Sequence, residues 1–299
     1  MYDVAIIGTG GAGYSAAIYA ARYKMSVLLI GGRIGGTISD AYEIENYLGF
    51  EKIIGRELAQ KMQSHAEKYD IDLKNDIVSG IQKEGDIFNI KTTQGEYKAK
   101  TVIVATGTIH RHLGIPSEEQ FAGKGVSYCA TCDGFFFRNK DVAIIGGGDS
   151  AATAGLYLAD ICKKIYIVVR KSFMRAEPFW IDALGQKDNV EFVFESNVAE
   201  FQGQNKLERV LLDTGRILEV DGAFVEIGAD PDTKILNDAK KDQSGYIIVD
   251  QAQMTNIEGL FAAGDVTTGS NHFHQLATAV GEGAVAANAA FIYLQKNAG

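Results

Sequence analysis

A strand, a glycine turn, a small-residue helix and a second strand occur twice in this chain, and that repeat restricts it to the α/β class. Val4-Ala5-Ile6-Ile7 leads into Gly8-Thr9-Gly10-Gly11-Ala12-Gly13, then a helix from Ala16 to Tyr23 and a strand over Ser26-Val27-Leu28-Leu29-Ile30. Val142-Ala143-Ile144-Ile145 leads into Gly146-Gly147-Gly148-Asp149-Ser150-Ala151, a helix to about Ala159 and a strand from Ile165 to Val169. The loops have G-x-G-x-x-G and G-x-G-x-x-A spacing in the strand–turn–helix frame that nucleotide binding requires. The first glycine makes the turn, the second lets backbone approach a pyrophosphate, and the third position packs helix on strand. The helix N-terminus then faces the phosphates. Gly8, Gly10 and Gly13 are the expected contacts of the first loop, and Gly146, Gly148, Asp149, Ser150 and Ala151 those of the second.

Two more segments belong with the first repeat. Thr101 to Val104 reads as a buried strand ending in Ala105-Thr106-Gly107, and Leu260-Phe261-Ala262-Ala263-Gly264-Asp265 repeats that form near the C-terminus. The segment Gln275 to Leu294 follows as an Ala-rich helix, and Asp265 stands where it can hold a ribityl hydroxyl while the helix start faces a flavin ring. The expected fold is therefore two Rossmann-like nucleotide-binding domains, the second inserted into the first. Residues 1–111 and 236–299 are expected to form one discontinuous nucleotide-binding domain and residues 112–235 the inserted one. Arg170, Lys171 and Arg175 follow the second strand of the inserted repeat. Basic residues there favour a 2′-phosphate, hence NADPH, where an acid would favour a free ribose hydroxyl. Gly31-Gly32 occupy the matching place in the first repeat and identify no nucleotide.

Cys129-Ala130-Thr131-Cys132-Asp133 lies just ahead of the second glycine loop. Two cysteines at this spacing can close a disulfide of tunable poise. Ser127 is the expected helix N-cap before them, which makes Cys129 the more easily activated sulfur. The chain's 3 cysteines among 299 residues are no secreted disulfide scaffold. Its net charge of −9 disfavours nucleic acid or an anionic membrane as partner. Strand-like sequence from Asp3 argues against a leader peptide, and no apolar run approaches about 18 residues, so no membrane span is expected. A cytoplasmic setting follows. No second cysteine pair or paired histidines complete a zinc set with Cys129 and Cys132, so no metal is expected. Cys162 reads as a buried, inert thiol, His272-Phe273-His274 as a flavin-edge or surface loop, and His110-Arg111-His112 as a solvated hinge.

Taken together, Gly8/Gly10/Gly13, Gly35-Gly36, Glu45-Asn46-Tyr47, Ala105-Thr106-Gly107, Cys129 to Phe136, Gly146 to Ala151 and Gly264-Asp265 resemble the low-molecular-weight thioredoxin reductases over nearly the whole chain. The resemblance implies FAD for the discontinuous domain and NAD(P)H for the inserted one. It implies that NADPH reduces FAD and that the flavin reduces the Cys129–Cys132 disulfide. It implies that Cys132 faces the flavin, that Cys129 attacks the disulfide of thioredoxin or a similar protein, and that Asp133 moves the proton of the flavin-side sulfur. Gly36, Thr37, Asn46, Gln275 and Leu276 join the implied flavin contacts, Gly134-Phe135-Phe136-Phe137 the partner ledge, and a homodimer is implied. The same scheme requires the two domains to rotate so that nicotinamide and disulfide alternate at the flavin.

The chain also departs from this family. Val169-Arg170-Lys171 stands where His-Arg-Arg is usual, Ala152-Thr153 where a Glu pair is common, and Gly11 where proline is common. Thr37 replaces a common glutamine, and His274-Gln275-Leu276 a common Arg-Gln-Ala. The changes at Val169-Arg170-Lys171 and Ala152-Thr153 admit a second reading, a related flavin–dithiol oxidoreductase with another outer electron partner: NADH, ferredoxin, a deazaflavin, or oxygen as a dithiol oxidase.

Overall fold

The computed structural model describes residues 1–41 and 44–297. The chain divides into two units, residues 1–39, 43–109 and 230–299 in the first, and residues 40–42 and 110–229 in the second. It passes between them through β7 (Thr108–His110) and β16 (Ala229–Pro231), which form a two-stranded sheet.

In the first unit, β1 (Tyr2–Ile7), β2 (Val27–Ile30) and β3 (Ile71–Lys74) lie parallel in the order β3-β2-β1, with β6 (Glu96–Val104) on the other side of β1. β6 is long because it has two further partners. Its first half pairs antiparallel with β5 (Ile87–Thr92), which pairs with β4 (Val78–Glu84), and its last residues pair parallel with β17 (Leu260–Ala262). The continuous apolar runs of β1 and β2 follow from burial on both faces. Val4 and Ile6 pack toward α1 (Gly11–Arg22) and α7 (Leu276–Lys296), while Ala5 and Ile7 pack with Phe88, Ile90 and Ile247 on the opposite face.

α1 begins at Gly11, ahead of the expected Ala16, because the glycine loop is its own cap: Gly10 is the extended N-cap residue. α7 opens on a reciprocal cap, in which Gln275 accepts the Thr278 N–H and the Thr278 hydroxyl accepts the Gln275 N–H. By length and composition α7 could cross a membrane, which the sequence reading did not expect. Its small residues pack inward instead: Gly283, Ala286, Ala287 and Ala290 are buried, and a Cβ on Gly283 would lie 2.1 Å from the Ala12 carbonyl oxygen. Helix α2 (Gly55–Ala66) completes this unit.

The second unit has an all-parallel sheet in the order β11-β10-β9-β15-β8, from β8 (Val126–Ser127), β9 (Asp141–Ile145), β10 (Lys164–Val168), β11 (Val190–Val193) and β15 (Gly222–Val225). On one face α5 (Asp149–Ala159) and α6 (Pro178–Gly185) bury Ile144, Leu158, Ile167 and Leu184. On the other, the antiparallel meander of β12 (Val198–Gln202), β13 (Arg209–Leu212) and β14 (Ile217–Glu219) packs with α3 (Pro116–Phe121) around Phe121, Val168 and Phe201. The short α4 (Ala130–Asp133) follows β8 and carries the cysteine pair.

Candidate functional site

The three glycines of the first loop differ in what surrounds them. Gly8 has φ +119°, and a Cβ there would lie 2.1 Å from the Ala105 carbonyl oxygen; one on Gly13 would lie 1.8 Å from the Gly8 oxygen. Both are glycine because backbone is already there. A Cβ on Gly10 meets nothing closer than the Gly35 oxygen at 4.0 Å, so the chain itself leaves that side open at the start of α1. That open cradle at a helix N-terminus fits a pyrophosphate. Gly36 and Thr37 lie in the following 3-10 turn, Gly36–Asp40, with Gly36 at φ +54°.

Around this loop the same unit gathers several of the expected residues. The Asn46 amide donates to Gln275 Oε1 (3.1 Å), joining positions far apart in the chain at the start of α7. The Thr106 hydroxyl donates to the Asp232 carbonyl (2.7 Å), and Gly107 has φ +67°. A Cβ on Gly11 would lie 2.6 Å from Leu276 Cδ1, so the leucine fills room that a ring or methyl at position 11 would take. The two departures from the family pattern are one packing solution.

Gly264 has φ +79°, and its N–H donates to buried Glu282 (2.7 Å), which also accepts from Ser270 (2.6 Å). Burial raises the Asp265 carboxyl, with His274 pulling it down and Glu282 pushing it further up. Sequence reasoning missed Glu282, because a Glu inside an Ala-rich helix gives no sign of the loop it will brace. His272 meets the Tyr246 ring edge-on and His274 lies tilted against it, and His272 lies 3.6 Å from Asp242.

The second loop repeats the division of roles. A Cβ on Gly146 would lie 2.0 Å from the Glu226 oxygen and 3.1 Å from Ala151 Cβ, while Gly148 has nothing within 4 Å. Gly146, Gly148, Ser150, Arg170, Lys171 and Arg175 line one cavity of about 480 Å³. Three cations about a glycine loop at a helix N-terminus suit a polyphosphate carrying an extra phosphate. Arg111 and His112 line it too. His110-Arg111-His112 lies where the chain crosses between the units, with Arg111 and His112 exposed as in a solvated hinge, and His112 Nδ1 lies 2.9 Å from the Tyr128 hydroxyl. Asp149 is not among the lining residues; its carboxylate accepts the Glu177 N–H (2.7 Å) and braces the loop that bears Arg175. Val169 is buried with its Cγ1 2.8 Å from the place a Cβ on Gly147 would take, so an apolar contact stands where the family has an imidazole. Glu226 also lines the cavity, and burial pushes its carboxyl up to about 8, with His110 pulling it down and Asp40 adding to the rise.

Cys129 and Cys132 form a disulfide. The N-cap of α4 is Cys129 and not Ser127: Ser127 lies in β8, whereas Cys129 is extended and its sulfur accepts the Cys132 N–H (3.2 Å). The Ser127 hydroxyl accepts the Cys129 N–H (3.1 Å) and donates to Asp133 (2.7 Å). Among the described residues no hydrogen bond joins Asp133 to either sulfur. The carboxylate that reaches them is Asp40, with Oδ1 3.1 Å from Cys129 Sγ and 3.8 Å from Cys132 Sγ. Sequence reasoning missed it, because no motif links Asp40 to a cysteine pair so far along the chain. Cys132 is exposed and Cys129 half-buried. Phe135 and Phe136 are 64% and 70% exposed, whereas Phe137 turns in against Phe224. Cys162 is buried, its thiol pushed up to about 11 by that burial, which keeps it inert.

Comparison with known proteins adds the family. A model of the pyridine nucleotide-disulphide oxidoreductases matches residues 2–283. The thioredoxin reductase of Treponema pallidum is 41% identical over 300 residues, covering 98% of this chain and 97% of that protein. A crystal structure of Lactococcus lactis thioredoxin reductase has a TM-score of 0.95 at 39% identity, covering 99% of this chain and 100% of that one. The thioredoxin reductase of T. acidophilum has a TM-score of 0.92, also at 39% identity, covering 97% and 98%.

Proposed function

The chain belongs to the pyridine nucleotide-disulphide oxidoreductase family, and we infer that it acts there as a thioredoxin reductase, passing electrons from NADPH through FAD and the Cys129–Cys132 disulfide to thioredoxin. The observation that carries this reading is the closed disulfide in the unit that also holds the basic cavity at the second glycine loop. FAD, when bound, supplies the two-electron relay between a nicotinamide and a disulfide.

The chain's own residues divide the remaining work. In the first unit Gly8, Gly13 and Ala105 shape the loop, Gly10 leaves room for the FAD pyrophosphate, and the α1 N-terminus faces its charge. Asp265 and the Asn46–Gln275 pair stand to orient the rest of that cofactor, together with Gly36, Thr37, Thr106, Gly107, Gly264 and Leu276. In the second unit Gly146, Gly148, Ser150 and Ala151 form the NADPH loop, and Asp149 holds its neighbouring segment. Arg170, Lys171 and Arg175 take the 2′-phosphate, which NADH lacks.

At the dithiol, Cys132 serves the flavin side, Asp133 moves its proton, and Cys129 attacks the partner. Bare Phe135 and Phe136 beside the pair offer thioredoxin an apolar ledge. Homodimeric assembly and a cytoplasmic location complete the proposal, with no nucleic acid or membrane partner.

The test is anaerobic addition of NADPH to the yellow holoenzyme, followed by oxidised thioredoxin. Bleaching of the flavin band and its return with thioredoxin are expected. An unchanged flavin band with NADPH, but bleaching with NADH or reduced ferredoxin, would replace the donor assignment.

A further inference from the structure

Asp40 ends the 3-10 turn Gly36–Asp40, and its main-chain carbonyl accepts the Thr131 hydroxyl (2.5 Å), which ties it to the segment between the two cysteines. Its side chain is 14% exposed. Oδ1 lies 3.1 Å from Cys129 Sγ, a distance at which a carboxylate and a sulfur hydrogen-bond only when one of them bears a proton. In the disulfide neither sulfur has one, so the contact becomes a hydrogen bond when the pair is reduced. On the far side, Oδ2 lies 3.6 Å from His110 Nε2, at ion-pair distance. Asp133, the acid next in sequence, is turned to Ser127. Two acids therefore stand at the dithiol with separate surroundings.

We propose that Asp40 is a catalytic acid–base residue for Cys129, the sulfur that exchanges with the partner disulfide; this rests on the reading of the pair as the thioredoxin-reducing dithiol. As Cys129 Sγ attacks one partner sulfur, its proton passes to Asp40 Oδ1 and a new S–S bond forms. The partner's S–S bond breaks, its electron pair leaves on the second sulfur, and Asp40 returns the proton to that sulfur. Cys132 Sγ then attacks Cys129 Sγ, loses its own proton and closes the enzyme disulfide. The partner's first sulfur leaves with that electron pair and takes up the proton. The enzyme dithiol is oxidised and the partner disulfide reduced, with two protons transferred. His110 is a positioning residue that holds the far oxygen. Half-buried Glu226 lies within electrostatic reach of both His110 and Asp40.

The experiment compares Asp40→Asn with wild-type holoenzyme reduced by dithionite, so it does not depend on the nucleotide donor. One measurement is single-turnover reduction of oxidised bacterial thioredoxin. The other is alkylation of Cys129 by iodoacetamide at pH 7, with the site mapped by mass. Loss of a positioned acid–base group lowers thioredoxin reduction by about 100-fold, at the low end for such groups. Loss of a negative charge beside the sulfur favours its thiolate, so alkylation speeds up several-fold. Opposite movements of the two rates are the expected result, with Asp40→Glu recovering part of the first. A thioredoxin rate within twofold of wild type overturns the proposal. So does a fall of both rates together, which marks Asp40 as structural only. If reduced wild-type enzyme does not reduce thioredoxin at all, the functional reading falls first and the proposal with it.

Discussion

Gly10→Ala and Gly13→Ala, three residues apart, are expected to fail in different ways. At Gly13 the added methyl would sit 1.8 Å from the Gly8 carbonyl oxygen, where C···O contacts normally lie at about 3.3 Å or more. Strand-end backbone and helix must part by roughly 1.5 Å. Overpacking of this kind costs about 1–3 kcal/mol, and two backbones in contact favour the upper end. Alanine's helix preference over glycine returns at most about 1 kcal/mol. The net loss of about 2 kcal/mol lowers the melting temperature of the apoprotein by roughly 4–8 °C.

At Gly10 the methyl meets no atom nearer than 4.0 Å, and φ is an ordinary −86°. The N-cap preference for glycine costs about 0.5–1 kcal/mol, and the stiffer unfolded chain returns about 0.4–1 kcal/mol. Apoprotein stability is therefore nearly unchanged. The methyl does occupy the space assigned to the pyrophosphate. Loss of one charge-assisted backbone hydrogen bond, about 1.5–3 kcal/mol, weakens FAD binding by roughly 10- to 100-fold. Thermal melts of apoprotein and FAD titration by flavin fluorescence read the two effects. Normal FAD affinity in Gly10→Ala, or an unshifted melt in Gly13→Ala, would refute the division of roles between the glycines.

At the dithiol, Cys132→Ser abolishes thioredoxin turnover and leaves a mixed disulfide between Cys129 and the partner. Intact-protein mass spectrometry detects the adduct, and its formation in Cys129→Ser instead would reverse the roles of the sulfurs. Arg170→Gln with Lys171→Gln raises KM for NADPH by about 10- to 100-fold, with NADH nearly unaffected, since the lost contacts are charge-assisted bonds to the extra phosphate. Equal loss for both nucleotides would place the 2′-phosphate elsewhere. Glu226 keeps its proton to about pH 8 in the fold but only to about 4.5 when unfolded. Its neutral form supports stability fully below pH 4.5, and that support is lost as pH rises through 8. Glu226→Gln accordingly gains on wild type between pH 5 and 8.5 in urea melts, by at most a few kcal/mol given its partial exposure. A constant difference across that range would show that the group does not titrate there.

Much of the fold is written locally. Gly8 and Gly146 hold φ of +119° and +152°, and apolar runs such as Val4–Ile7 belong to strands buried on both sides, so spacing alone locates both glycine loops. Helix starts are read less well. The cap of α1 is Gly10, and that of α4 is Cys129, because these residues take the extended conformation next to the first turn. The basic residues Arg170, Lys171 and Arg175 were legible from one strand end, but Arg111 and His112 were not, since they come from a separate segment that the fold brings to the same cavity.

Sequence by itself determines the two glycine loops, the cysteine pair and the family, because each depends on a few adjacent residues whose backbone or spacing permits few alternatives. Tertiary structure alone decides which distant side chains complete those parts. Gly11 makes room for Leu276, Asn46 meets Gln275, and Glu282 ties down Gly264. Most consequential is Asp40, far from Cys129 in sequence and 3.1 Å from its sulfur in the fold. Proton transfer acts over a hydrogen bond's length, so for Cys129 distance in space, and not proximity in the chain, selects the acid.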